Sequence, residues 1–181
     1  MRLKIIVVSF ALLISIPAKS ELAAQCNFNT SEYISELSDL KYLENIEITV
    51  YKYKKWTTNL MKALLDKKGA ILPKYKKKFD AKIISRYKFG ECIHEGEIRL
   101  HGDWKDHIDF DSGSFIQSLD VSLISGSIAR FTKFKLFLPE TRKFENEILL
   151  TSILRSLDFL APRTSITKVS VNGKQVDMLI Q

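Results

Sequence analysis

Asn172-Gly173 lies between two alternating runs, "TKVSV" at 167–171 and "QVDMLI" at 175–180. A two-residue type I′ hairpin needs positive φ at both central positions, and Asn followed by Gly meets that need at the least steric cost. The dipeptide therefore predicts an antiparallel hairpin and decides which residues of each run share a face. Just upstream the period changes. Leu149, Leu150, Ile153, Leu154 and Leu157 recur at helical spacing, Glu145 and Glu147 suit the positive end of a helix dipole, and Pro162 forbids continuation. A helix over 143–158 that runs into a strand and a tight turn is the expected C-terminal unit.

The rest of the chain supplies neighbours for that unit. "TSEYISELSDLKYLENI" at 30–46 predicts a short helix capped by Thr30 or Ser31, with Ile34, Leu37, Leu40 and Leu43 along one face. "IEITVYKY" at 46–53 alternates as a strand, and "WTTNLMKALLDKKG" at 56–69 reads as a helix ended by Gly69. Four further strands are expected in "FDAKIISRY" (79–87), "GEIRLHGD" (96–103), "SLDVSLISGS" (118–127) and "KFKLFLP" (133–139), with 105–114 left unassigned. The order of elements predicts an α+β fold: a twisted antiparallel sheet with packed helices, ending in a β-hairpin.

Residues 1–20 stand apart from this pattern. Arg2 and Lys4 precede an uncharged apolar run at 5–16, and Ala18 and Ser20 offer small residues before a cut, so the segment reads as a signal peptide removed before Glu21. An uncleaved anchor, or a lipoprotein signal ending at Cys26, is the alternative. Cleavage would remove three cations and no acids, taking the net charge from +7 to +4. Export places Cys26 and Cys92 in an oxidising compartment, where a disulfide is expected in preference to two buried thiols. The expected location is secreted or periplasmic, not transmembrane once the signal is removed, with no nucleic acid among the partners because no groove-reading motif accompanies the charge.

Two clusters carry potential chemistry. "HGDWKDHIDFD" holds His101, Asp103, Asp106, His107, Asp109 and Asp111, residue types that ligate metals, but none of the fixed spacings of a zinc or calcium loop is present. A polar loop and no metal site is the expectation. Between Lys52 and Lys82 lie eleven lysines, at 52, 54, 55, 62, 67, 68, 74, 76, 77, 78 and 82, against Asp66 and Asp80. Such a segment either lines a solvated face or attracts an anionic partner: an acidic substrate protein, an envelope polymer or lipid head groups.

The helix followed by "LAPRTSITKVSVNGKQ" (160–175), with "GEIRLHGDW" (96–104) upstream, resembles the CotH kinase family, the secreted atypical protein kinases related to spore coat protein H. The likeness covers about residues 94–181 and is most specific at 161–174. It implies a kinase-like N-lobe: 1–20 signal peptide, 21–92 an N-terminal α/β extension of unknown role, and 93–181 an N-lobe portion that ends at the hinge. It further implies ATP with Mg or Mn, and Ser/Thr phosphorylation of an exported protein by the complete protein. A strand lysine, Lys133 or Lys135, would hold the nucleotide phosphates opposite a helix glutamate, Glu145 or Glu147, with Gly102 in the glycine turn. Metal ligands and catalytic acids would lie beyond the hinge, so this chain alone would be inactive. The family's lysine before the aromatic strand is replaced by Gln117-Ser118-Leu119-Asp120, and the residue after the glycine turn is Asp103 rather than Asn. Ordinary surface charge is the competing reading of these four side chains. The alternative for the whole protein is a non-catalytic envelope scaffold that binds anionic polymer or protein through the Lys52–Lys82 surface.

Overall fold

Apolar residues alternate with polar ones along most strands of this chain, and the computed structural model, which describes residues 25–28, 36–111 and 113–181, turns one face of each inward. In β2 (Leu43–Val50) the inward residues are Leu43, Ile46, Ile48 and Val50, and in β3 (Phe79–Tyr87) they are Ala81, Ile83, Ser85 and Tyr87. In β4 (Gly90–Leu100) Cys92, His94, Gly96, Ile98 and Leu100 face the same interior. The period of two thus makes half of each strand core and half surface.

The strands close on themselves. β7 (Leu119–Leu123), β8 (Lys133–Phe137), β9 (Ser165–Val171) and β10 (Lys174–Ile180) complete a ring in the order β4-β3-β2-β9-β10-β8-β7, and β7 pairs back onto β4 from Gly96↔Leu123 to Leu100↔Leu119. Among the described residues the result is a closed seven-stranded barrel, mostly β, with two α-helices. This overturns the α+β, kinase-N-lobe-like sheet with packed helices expected from the sequence. Closure is favoured because every backbone edge in the ring is satisfied. The parallel pairing of β2 with β9, Asn45↔Lys168 to Ile48↔Val171, joins distant parts of the chain and is what turns an open meander into a barrel. The boundary expected at residue 92 falls inside β4, and strands from both sides of it share one core.

Asn172 and Gly173 have φ of 46° and 91°, so the predicted hairpin turn forms. Asn172 also locks the ring. Its backbone N–H donates to the Ile48 carbonyl at 2.8 Å, and its side-chain oxygen accepts from the Val50 N–H at 3.0 Å. The last strand is not an uncovered edge: β10 lies between β8 and β9, Met178, Leu179 and Ile180 are fully buried, and Gln181 exchanges both backbone hydrogen bonds with Lys135.

Outside the ring, β1 (Gln25–Phe28) pairs with the first residues of β4 and places Cys26 opposite Cys92. The two are disulfide-bonded, with Cα atoms 4.0 Å apart, as expected. β5 (Ile108–Asp111) and β6 (Ser114–Gln117) form a separate two-stranded hairpin that begins in the stretch left unassigned from sequence and runs three residues past it. The helix expected over 30–46 is described only from residue 36, where 3₁₀ turns give way to β2 at Leu43, and its capping residues Thr30 and Ser31 lie outside the described residues, as does the whole signal segment. None of the helices among the described residues is long and apolar enough to cross a membrane.

The helices differ in what they bury. α1 (Tyr53–Leu65) follows β2 directly and seats Trp56, Leu60 and Ala63 in the barrel's core cluster, with the Trp56 ring edge-on to Phe79 at 5.1 Å. α2 (Glu145–Ser156) buries only Thr151, while Leu149, Leu150, Ile153 and Leu157 are exposed. The helix expected to pack on the sheet therefore presents its apolar stripe as a surface, because the barrel core is already filled by side chains of its own strands. α2 ends two residues earlier than expected, where Asp158 takes a left-handed φ of 60° and the Phe159 N–H closes on the Leu154 carbonyl.

Candidate functional site

The lysine-rich segment folds around a cleft of about 620 Å³ at the end of the barrel where β2 finishes. One wall is α1, the other the 3₁₀ turn Pro73–Tyr75 and the strand entry that follows it. Lys54, Lys55, Thr58 and Lys62 recur at helical spacing along the outer side of α1, opposite the face that carries Trp56 and Leu60 inward. Lys74, Lys77 and Lys78 approach from the other wall, and Lys52 stands at the helix N-cap. Seven lysines thus meet one carboxylate, Asp80.

Two contacts, both through Tyr75, tie the walls together, and a third group, Lys105, anchors the end of α1. Buried Asn59 donates through Nδ2 to the Tyr75 carbonyl at 2.7 Å, and the Tyr75 hydroxyl donates to Asp66 Oδ2 at 2.7 Å. Lys105 donates through Nζ to the Leu64 carbonyl at 2.8 Å and to that of Asp66, satisfying the exposed carbonyls at the end of α1. The Asp66 carboxyl is held well below the usual carboxylate range by the Tyr75 hydroxyl, the Lys68 N–H and Lys74, so it stays ionised as the cleft's hinge point.

The electrostatics are unbalanced on the cleft side. Lys74 pairs with Asp66 at 3.0 Å and Lys78 with Glu97 at 2.6 Å, but Lys52, Lys54, Lys55, Lys62 and Lys77 have no carboxylate within ion-pair distance among the described residues. The first turn of α1 contains no acidic residue, and its N-cap, Lys52, makes no side-chain cap hydrogen bond. Cations at the positive end of a helix dipole repel it and one another, an arrangement that an anion would relieve. Of the remaining lysines in the segment, Lys76 is engaged by Asp103 at 2.7 Å, while Lys67, Lys68 and Lys82 lie outside the cleft. Sequence reading found the charge but not Thr58, Asn59 and Tyr75; an asparagine three residues after Trp56 on an otherwise apolar face was the available signal.

The residues expected to form a nucleotide site are dispersed. Lys133 and Lys135 point outward from β8 and line a second cleft with Glu97, Arg99, Asp120 and Ser122. Neither lysine is within ion-pair distance of Glu145 or Glu147 among the described residues, and Glu147 Oε1 instead accepts from Gln181 Nε2 at 2.7 Å. Gly102, at φ 98°, is packed against the His107 ring, where a side chain would have no room. Its role is to let the chain turn beneath that ring.

The His/Asp cluster is held apart by its own partners. His101 Nδ1 lies 2.9 Å from Asp120 Oδ1, His107 Nδ1 lies 3.0 Å from Ser118 Oγ, and the two rings meet edge to face. Burial pushes the His107 imidazole below its ordinary pKa, which keeps it neutral beside Ser118. No three His, Cys, Asp or Glu side chains gather as a metal-ligand set among the described residues.

Comparison of this chain with protein-family models and with curated proteins returns no match.

Proposed function

We propose that this protein is a non-catalytic binding module of the cell envelope that holds a polyanionic chain in the lysine cleft beside α1. The observation that carries the reading is the set of five lysines without acidic partners lining one rigidly spaced cleft. Export agrees with the Cys26–Cys92 disulfide and with the apolar, cation-led segment at 1–20. Phosphotransfer is the weaker alternative. It required Lys133 or Lys135 opposite Glu145 or Glu147 on an open N-lobe sheet, whereas the barrel is closed and neither lysine meets either glutamate.

The test is fluorescence anisotropy with labelled poly-L-glutamate and dextran sulfate across a salt series from about 50 to 200 mM, where counterion release makes a multi-lysine contact fall steeply in affinity. Lys54→Gln/Lys55→Gln/Lys62→Gln should weaken binding about tenfold or more, and Lys133→Gln/Lys135→Gln should leave it unchanged. Binding that ignores the cleft variant refutes the reading. Incorporation of label from ATP into an acidic Ser-containing protein would favour the kinase alternative.

A further inference from the structure

At the other end of the barrel, where β2 and β9 begin, three arginines converge. A cleft of about 500 Å³ is lined by Arg130, Arg155 and Arg163, with hydroxyls from Ser152 and Thr164. Arg130 comes from the β7–β8 connection, Arg155 from the last turn of α2, and Arg163 from the link between α2 and β9. Only the fold brings them together.

Arg163 is held in place. Its Nη1 donates to the Ser38 carbonyl at 3.2 Å and its Nη2 to the Ala129 carbonyl at 2.6 Å, and its guanidinium lies 4.3 Å from the Phe131 ring centroid. Burial, and then the neighbouring guanidiniums of Arg155 and Arg130, push its pKa below the ordinary value. The carboxylate lining this cleft, Asp39, is engaged by Lys41 at 3.0 Å. Arg130 and Arg155 have no acidic partner within ion-pair distance among the described residues. Asp39 acts on Arg163 through space, Lys41 adds a fourth cation to the lining, and Arg130 and Arg155 are left facing the cleft without an acidic partner of their own among the described residues.

The turn that carries Arg130 adds an independent observation. Ile128 and Phe131 exchange both backbone hydrogen bonds, at 3.0 and 2.8 Å, across Ala129 and Arg130, whose φ values are 48° and 67°. These are type I′ positions, which this chain fills with Asn172-Gly173 in the β9–β10 hairpin. A residue with a long side chain is strained there, and such strain is characteristic of functional positions.

We propose that this cleft is a binding site for a phosphate monoester, its dianionic head held by Arg130, Arg155 and Arg163 and by the flanking hydroxyls. A tetrahedral dianion takes several charge-assisted hydrogen bonds from guanidinium forks at once. The volume exceeds that of the head group, which leaves room for an organic portion. The site is separate from the lysine cleft and does not depend on the polyanion reading.

The experiment is calorimetric titration of the full protein with glycerol 3-phosphate and, separately, with inorganic phosphate. Saturable binding of the ester is expected, weakened about tenfold by Arg130→Gly and by Arg155→Gln through loss of charge-assisted hydrogen bonds. Arg130→Gly should keep or raise the thermal midpoint, since glycine relieves the positive φ, so weakened binding in that variant is not a folding defect. Inorganic phosphate binding with the ester excluded would keep the site and assign it to the free anion. The proposal is overturned by absence of saturable binding for both probes, by wild-type affinity in both arginine variants, or by an equal loss in the lysine-cleft triple variant.

Discussion

Replacing the disulfide by Cys26→Ala/Cys92→Ala should lower stability by about 2–3 kcal/mol while leaving the barrel closed. The bond spans a sequence separation of 66 residues, for which the loop-entropy relation sets a ceiling of about 4 kcal/mol. The structure lowers that ceiling. β1 lies outside the seven-strand ring, its residues Gln25, Cys26 and Asn27 are exposed, and it pairs with β4 only from Gln25↔Ile93 to Phe28↔Gly90. Once untethered, β1 can leave β4 and recover backbone entropy of about 1–2 kcal/mol per residue, offset by the lost strand pairing. The assay is guanidinium denaturation together with amide exchange. Protection should vanish in β1 and persist in β2, β3 and β9. A loss below about 1 kcal/mol, or exchange that rises equally throughout the ring, would refute this division of labour.

Gly96→Ala should destabilise by about 1–3 kcal/mol, because the new Cβ would sit 2.8 Å from the Ser122 carbonyl oxygen, a backbone atom fixed by the β4–β7 ladder; an unchanged thermal midpoint would count against that packing. Asn172→Ala removes the acceptor for the Val50 N–H and puts alanine at φ 46°, a cost of about 2 kcal/mol, whereas Asn172→Gly should recover the backbone part of it; equal losses would show that the turn geometry is not involved. Burial holds the His94 and His107 imidazoles below their ordinary pKa. The unfolded chain therefore takes up protons near pH ~6.5 before the folded one does, and stability should be full above that pH and fall as the pH drops through it. His94→Gln should reduce the slope of the denaturation midpoint against pH between about 7 and 5, and a midpoint that rises on acidification would contradict the assignment.

The C-terminal hairpin was legible because its cause is local: Asn172-Gly173 satisfies a positive-φ requirement that few other dipeptides meet. The recurrence of Ile46, Ile48 and Val50 at every second position likewise predicted a strand, and export chemistry predicted the Cys26–Cys92 bond. Period-two patterning assigns faces, however, and says nothing about edges. Which strands meet is decided by backbone hydrogen bonds that carry no side-chain code, so the parallel β2–β9 pairing and the β4–β7 closure that make the barrel were invisible. The same limit explains α2. A stripe such as Leu149, Leu150, Ile153 and Leu157 has one spacing whether it meets a core or water, and only the filled barrel interior leaves it outside. Charge density along 52–82 could be counted from the chain, but which lysines face each other depends on the Asn59–Tyr75 contact that sets one wall against the other. Arg130, Arg155 and Arg163 carry no common motif at all; their meeting is a consequence of barrel closure, which brings the β7–β8 turn and the start of β9 to the same end.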